Sequence, residues 1–249
     1  MLIDVNCSLG FWPFLMEQQT SAAKLAKHLA AEGVTQALVS PLESVLCPDP
    51  HVPSLRLLGQ LKKHPELIPV PVVDPSLTNW RECLGAYDEA GHSRAVKIIP
   101  NYHRYALDAG CVDELMAAMA KRTLMIQMRV EDERQHYPLM KVPGVGVDHV
   151  VALANRCPRV PIVCLCPYLA EATRLVKETA NVHVDLAFIE YTTTIKFALG
   201  RIPAKRLLFG SHTPLLYTRA NVMKMQHADA PRRDVNAIAA GNAKRLFKL

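Results

Sequence analysis

Eight short runs rich in valine, isoleucine and leucine recur along the chain: LIDVN, TQALVSP, LIPVPVV, AVKIIP, LMIQMRV, VPIVCLC, VHVDLAF and RLLFGS. A segment of helical character follows each of them. In SAAKLAKHLAAEG, for instance, Leu25 and Leu29 stand four residues apart and Gly33 suits a helix stop. Runs that are apolar on both faces and alternate with helices argue for parallel strands covered by helices. Eight such units in 249 residues match the usual size of a (β/α)8 barrel of the α/β class, regular or distorted, in one domain spanning residues 1–249. The competing doubly wound open sheet loses its main support, because no run leads into a GxGxxG or GxxxxGK[ST] turn. Strand one is expected at Ile3 to Asn6 and strand eight at Arg206 to Gly210.

Composition narrows the partners. Lys plus Arg number 29 against 23 Asp plus Glu, a net charge of +6, yet the basic residues are scattered and form no stripe interleaved with aromatics. A small-molecule substrate, an acidic one included, is therefore expected rather than a nucleic acid. No uninterrupted apolar run is long enough to cross a bilayer, so no membrane partner is expected. The seven cysteines are odd in number and show no CxxC pairing, which suggests reduced, mostly buried thiols in a cytoplasmic protein. The opening MLIDVNCS has an acid at position 4 and no basic segment ahead of an apolar one, unlike a signal peptide. A homodimer is compatible with all of this.

In a barrel of this kind the working groups sit at the C-terminal strand ends and in the loops that follow. Strand one ends at Asn6 and Ser8. Strand four ends at Lys97, followed by PNYHRY with Asn101, His103 and Tyr105; strand five ends at Gln127 and Arg129, followed by VEDERQHYP with Glu131, Arg134 and His136; strand eight ends at Ser211 and His212. Carboxylates, a guanidinium and an imidazole in one loop can bind or protonate a substrate, and they also suit a solvated, salt-bridged loop. His103 can serve as ligand, acid/base or packed ring. Trp12, Pro13 and Phe14 are expected to cover the end of the barrel, and Met116, Met119, Met125 and Met128 to fill the core.

IDVNCSLG near the start, VKIIPNYHRY in the middle and LLFGSHTP near the end resemble the amidohydrolase-related branch of the metal-dependent hydrolase superfamily, which includes aminocarboxymuconate-semialdehyde decarboxylase. The resemblance extends over nearly the whole chain through the order of its strands. It implies a (β/α)8 barrel holding one divalent metal, with His-x-His on strand one, a His on each of strands five and six, and an Asp on strand eight. Here those positions carry Asn6 and Ser8, Gln127, Cys164 or Cys166, and His212. Asn, Ser and Gln are poor donors for a transition metal, which needs three or four imidazole, thiolate or carboxylate ligands. The architecture is therefore expected without the metal, and without any other cofactor, as in a variant subgroup that has lost the usual ligands.

Two functions follow as expectations. The first is a metal-independent hydrolase acting on a small polar or anionic lactone, ester or amide. In it His212 is the general base, Lys97, Arg129 or Arg134 holds a carboxylate or polarises a carbonyl, and Asn6, Ser8 and Gln127 supply hydrogen bonds. A pH–rate limb near neutrality is expected from His212. The second is a catalytically inactive barrel that binds a ligand or a protein partner. A third arrangement keeps a metal on His103, His136 and His212.

Overall fold

The computed structural model describes residues 1–14, 20–119, 121–131 and 141–249. Its strands are β1 (Ile3–Leu9), β2 (Gln36–Pro41), β3 (Leu67–Pro69), β4 (Ala95–Ile98), β5 (Thr123–Gln127), β6 (Ile162–Leu165), β7 (Val182–Asp185) and β8 (Leu207–Leu208). They form two parallel arcs, β1-β2-β3 and β4-β5-β6-β7-β8. The arcs meet at two seams. At one, Val72 bridges Lys97, with Lys97 N donating to Pro71 O and Val73 N to Lys97 O; at the other, Cys7 bridges Thr213, and Val5 N and Ser8 N donate to Phe209 O and Thr213 O. The eight-strand order is that of a (β/α)8 barrel, distorted where regular pairing stops at the seams.

The helices follow the strands as the apolar spacing requires. Helix α1 (Ala22–Ala31) starts at Ser21, whose side chain accepts from Lys24 N, and buries Leu25 and Leu29. It is followed by Gly33 at φ 81°, a conformation natural to glycine. Helices α2 (His51–Leu61), α3 (Trp80–Glu89), α5 (Gly110–Ala118), α6 (Val147–Arg156) and α7 (Leu169–Glu178) cover successive strands; α4 (Pro100–His103) is a single turn inside the loop after β4. Helices α8 (Thr194–Leu199), α9 (Thr218–Gln226), α10 (Arg232–Asn236) and α11 (Asn242–Phe247) complete the order, with a π-helical turn at Ala237–Gly241.

Two cores result. One lies between strands and helices and contains Leu25, Ile98, Leu115, Ile126 and Cys164. The other fills the barrel interior with Ile3, Val5, Leu38, Ile68, Met125, Val163 and Leu208 and is stoppered by Leu246 and Phe247 of α11. The lower barrel is thus solid, which leaves the C-terminal strand ends as the polar mouth. Met116, Met119, Met125 and Met128 are buried, as core filling requires.

Strand positions differ from the sequence expectation in two places. β1 runs three residues past Asn6 because its register shifts between Asp4 and Cys7, and Ser8 and Leu9 still pair with β2. β8 shrinks to Leu207–Leu208 because Phe209 N leaves the ladder for Ile238 O. Trp12 is buried over the mouth, whereas Pro13 and Phe14 are exposed, so the cover is the indole alone.

Candidate active site

Strand ends from both arcs converge on Cys166. It follows β6 with φ 58°, an uncommon conformation for a residue with a side chain, and it is held there at every polar atom. Its N–H donates to Asp185 Oδ1 at 2.8 Å, its carbonyl accepts Arg129 Nη1 at 2.7 Å, and its Sγ receives Asn6 Nδ2 at 3.2 Å and Gln127 Nε2 at 3.3 Å. Asn6 Nδ2 also donates to Asp185 Oδ2 at 2.8 Å. Of the two cysteines offered for this position by the sequence, Cys166 is the one in the mouth; Cys164 faces the helices.

His212 is the other residue after a strand end with φ 58°. Its Nε2 lies 2.6 Å from Val130 O, which can only accept, so Nε2 carries the proton. Nδ1, 3.5 Å from Asn6 Oδ1, then holds the unshared pair of the neutral ring. Phe188 packs edge-on against the imidazole. Burial lowers its pKa to about 4, with the nearby Lys97 charge acting in the same direction, so the ring is neutral at physiological pH. The limb near neutrality expected from the sequence therefore moves down by the cost of charging a buried ring.

Asp185, at the end of β7, is fully buried, and burial raises its pKa to about 6 despite the bonds from Cys166 N and Asn6. Gly210, in the FGSH stretch, makes this possible: a Cβ there would stand 2.6 Å from Asp185 Oδ2. Asp4 lies below, accepting Asn6 N and Ser211 N on Oδ1 and leaving Oδ2 without a partner. Lys97 Nζ donates to Ser40 Oγ at 3.1 Å, and Ser40 Oγ is 3.5 Å from Ser8 Oγ. Burial lowers the Lys97 pKa to about 8.

Arg129 belongs to the wall of the site. Its guanidinium pairs with both Glu171 carboxylate oxygens at 2.7 Å and lies over the Tyr168 ring, 3.9 Å from the centroid. Gln127 Nε2 donates to Arg129 O at 2.6 Å, while Gln127 Oε1 has no partner. Glu131 Oε1 accepts the Trp12 indole N–H at 3.0 Å.

The structure therefore brings together Asn6, Ser8, Lys97, Gln127, Arg129 and His212 and sets Asn101 and His103 apart. These two line a separate cavity of about 470 Å3 with Asp74, Tyr102 and Arg104; His103 Nε2 bonds Ser44 O at 2.9 Å, and Asn101 Nδ2 bonds Pro143 O at 3.0 Å. Tyr105 packs against the strand–helix core with its hydroxyl buried. Arg134 and His136 lie outside the described residues. Sequence reasoning missed Asp4, Ser40, Glu171 and Asp185; the one signal for Asp185 was an acid closing the apolar run VHVD.

No protein-family profile matches the chain, and no curated protein sequence does. Solved structures do. The 5-carboxyvanillate decarboxylase of Sphingomonas paucimobilis superposes with a TM-score of 0.74 at 14% identity, over 100% of this chain and 99% of that one. The chain shares the barrel fold of that enzyme. Two further structures agree: the manganese-bound 5-carboxyvanillate decarboxylase of Novosphingobium aromaticivorans (TM-score 0.76, 16% identity, covering 100% and 97%) and the "probable 2-pyrone-4,6-dicarboxylic acid hydrolase" of Acinetobacter baumannii with citric acid bound (TM-score 0.69, 11% identity, covering 100% and 99%). At these identities the likeness establishes the fold.

A divalent metal does not suit the residues of this mouth. Asn6, Ser8 and Gln127 offer neutral donors, and the Asn6 and Gln127 amide nitrogens are turned toward Cys166 Sγ. Burial and the Asp185 carboxylate push the Cys166 thiol well above its usual pKa, opposing the thiolate a metal needs. Both Asp185 oxygens are already engaged, and Lys97 contributes positive charge of its own. Among the described residues no three His, Cys, Asp or Glu side chains come together as a metal site.

Proposed function

We propose that this barrel is a metal-independent hydrolase of small carboxylate-bearing esters, lactones or amides. The observation that carries the reading is the neutral His212, whose Nδ1 holds an unshared pair in a mouth that also contains the Lys97 amino group. His212 Nδ1 takes a proton from water as the water oxygen attacks the acyl carbon, and Lys97, protonated, stabilises the oxygen on which charge develops. The imidazolium so formed donates from Nδ1 toward Asn6 Oδ1, and Asn6 Nδ2 already donates to Asp185, so the amide couples the new charge to a carboxylate until the acyl C–O or C–N bond breaks and the Nδ1 proton passes to the leaving oxygen or nitrogen. That coupling offsets part of the cost of charging a buried ring. Arg129, fixed by Glu171 and Tyr168, acts by holding the Cys166 kink. The names of the structural neighbours support the anionic part of the reading: carboxyvanillate and pyrone dicarboxylate both carry carboxylates.

The test is a screen of carboxylate-bearing lactones, esters and amides in the presence of a chelator. The expected result is turnover that His212→Gln lowers by about two to four orders of magnitude with the melting temperature unchanged, and a wild-type rate that falls as pH drops toward about 4 and again as it rises past about 8, where Lys97 loses its proton. Turnover that appears only on adding manganese, or that survives His212→Gln, refutes the reading.

A second reading, a ligand-binding barrel without turnover, draws on the burial of Asn6, Cys166, Asp185 and His212 in one mutually bonded cluster. It predicts a thermal shift with carboxylates from the same panel and no product.

A further inference from the structure

Lys97 is a buried amine with few partners. Its Nζ makes one hydrogen bond, to the Ser40 hydroxyl, and among the described residues no carboxylate lies within ion-pairing distance. It projects from the end of β4 into the mouth, beside Ser40 of β2. An ammonium placed there loses its hydration without gaining a contact ion pair, so the neutral amine is unusually accessible. The same loss of water sets its pKa at about 8, with the Cys166, Asp185 and Cys7 side chains acting the other way. At pH 7 roughly a tenth of such an amine is neutral, a fraction more than a hundredfold above that of an exposed lysine. Ser40 Oγ, accepting one N–H, orients the nitrogen.

We propose that Lys97 forms an imine with small aldehydes or 2-oxo acids, which makes the mouth a carbonyl-trapping site in its own right. This goes beyond the hydrolytic reading and does not depend on it. The unshared pair on Nζ adds to the carbonyl carbon, the oxygen takes up a proton and the nitrogen gives one up, producing a carbinolamine. A second proton delivered to that oxygen expels water as the C=N bond forms. One amine and one carbonyl compound give one imine and one water, with no oxidant or reductant.

The experiment treats the full-length protein with glyoxylate and cyanoborohydride at pH 7 and maps the reduced adduct by peptide mass spectrometry. Lys97 is expected to carry more adduct than each exposed lysine by about tenfold or more given its larger neutral fraction, and more than Lys224, whose pKa burial also lowers to about 8 but whose Nζ already donates to Leu186 O, Ala187 O and Asn221 Oδ1. Lys97→Arg, which keeps the charge, is expected to lose that adduct. Wild-type protein in which the exposed lysines are modified and Lys97 is not overturns the proposal, and this mapping stands whether or not the variant folds. Trapping needs no hydrolytic turnover, so an inactive protein that still labels Lys97 refutes only the hydrolytic reading.

Discussion

Gly210→Ala tests the architecture of the mouth with one methyl group. The added Cβ would sit 2.6 Å from Asp185 Oδ2 and 2.9 Å from Asp185 Cβ, so the carboxylate cannot stay where it is. Asp185 is fixed from two sides, by Cys166 N and Asn6 Nδ2, each at 2.8 Å. Any movement that clears the methyl lengthens at least one of these bonds. Overpacking of this kind costs about 1–3 kcal/mol, and weakening a buried bond to a charged acceptor about 1.5–3 kcal/mol more if it is lost outright. Since the two effects share one displacement, their joint cost is set at about 2–4 kcal/mol. Equilibrium urea unfolding with an unchanged m-value reads this directly. The decisive control is the same substitution in an Asp185→Gly background, where the methyl meets neither the carboxylate nor a Cβ and its cost should fall below about 1 kcal/mol. A Gly210→Ala cost that is small in the wild type, or equal in both backgrounds, refutes the close-approach argument.

Two further outcomes follow from the same cluster. Asp185 has its folded pKa raised to about 6 from an ordinary value of 3.8, so the native state retains a proton that the unfolded chain loses; its contribution to stability is fully present below about pH 4 and is lost as pH rises to 6. The stability difference between wild type and Asp185→Asn should therefore shift against the wild type by up to about 3 kcal/mol over that window, and a flat difference in urea unfolding between pH 4 and 6 would sink the assignment. Glu171→Gln removes the Glu171 charge from the buried Arg129 while sparing its bond to Cys166 O, and since Glu171 is about a quarter exposed the expected loss is about 2–3 kcal/mol. A loss under about 0.5 kcal/mol in the same assay would show the pair to be solvent-screened.

The repeat of apolar runs and amphipathic segments was enough to order the eight strands, because each run is buried on both faces and carries its own signal. Ser21 and Gly33 delimit α1 by local chemistry, and local chemistry is visible in sequence. The mouth was legible in part. Asn6, Lys97, Gln127 and His212 stand where apolar runs turn polar, and the fold brings them together. Asp185 was hidden because its role depends on Asn6, 179 positions away, and on the missing side chain at Gly210. The choice between Cys164 and Cys166 turns on a left-handed residue after β6, which alternation cannot anticipate. His103 sits after a strand end like the others, yet α4 turns it toward Ser44 and the neighbouring cavity. The His212 pKa depends on full burial, which no residue type announces.

The two seams give the barrel a mechanical character that a continuous ladder would lack. Lys97 lies at the joint between β3 and β4, and Asn6 at the joint between β8 and β1, so the polar groups of the mouth stand on opposite arcs. A ligand that touches both is a staple across a ring with two hinges. Its affinity then includes the work of holding the arcs at one spacing, and its arrival is readable at a distance from any reaction, as slowed hydrogen exchange at the seam amides of Val5, Ser8, Val73 and Lys97.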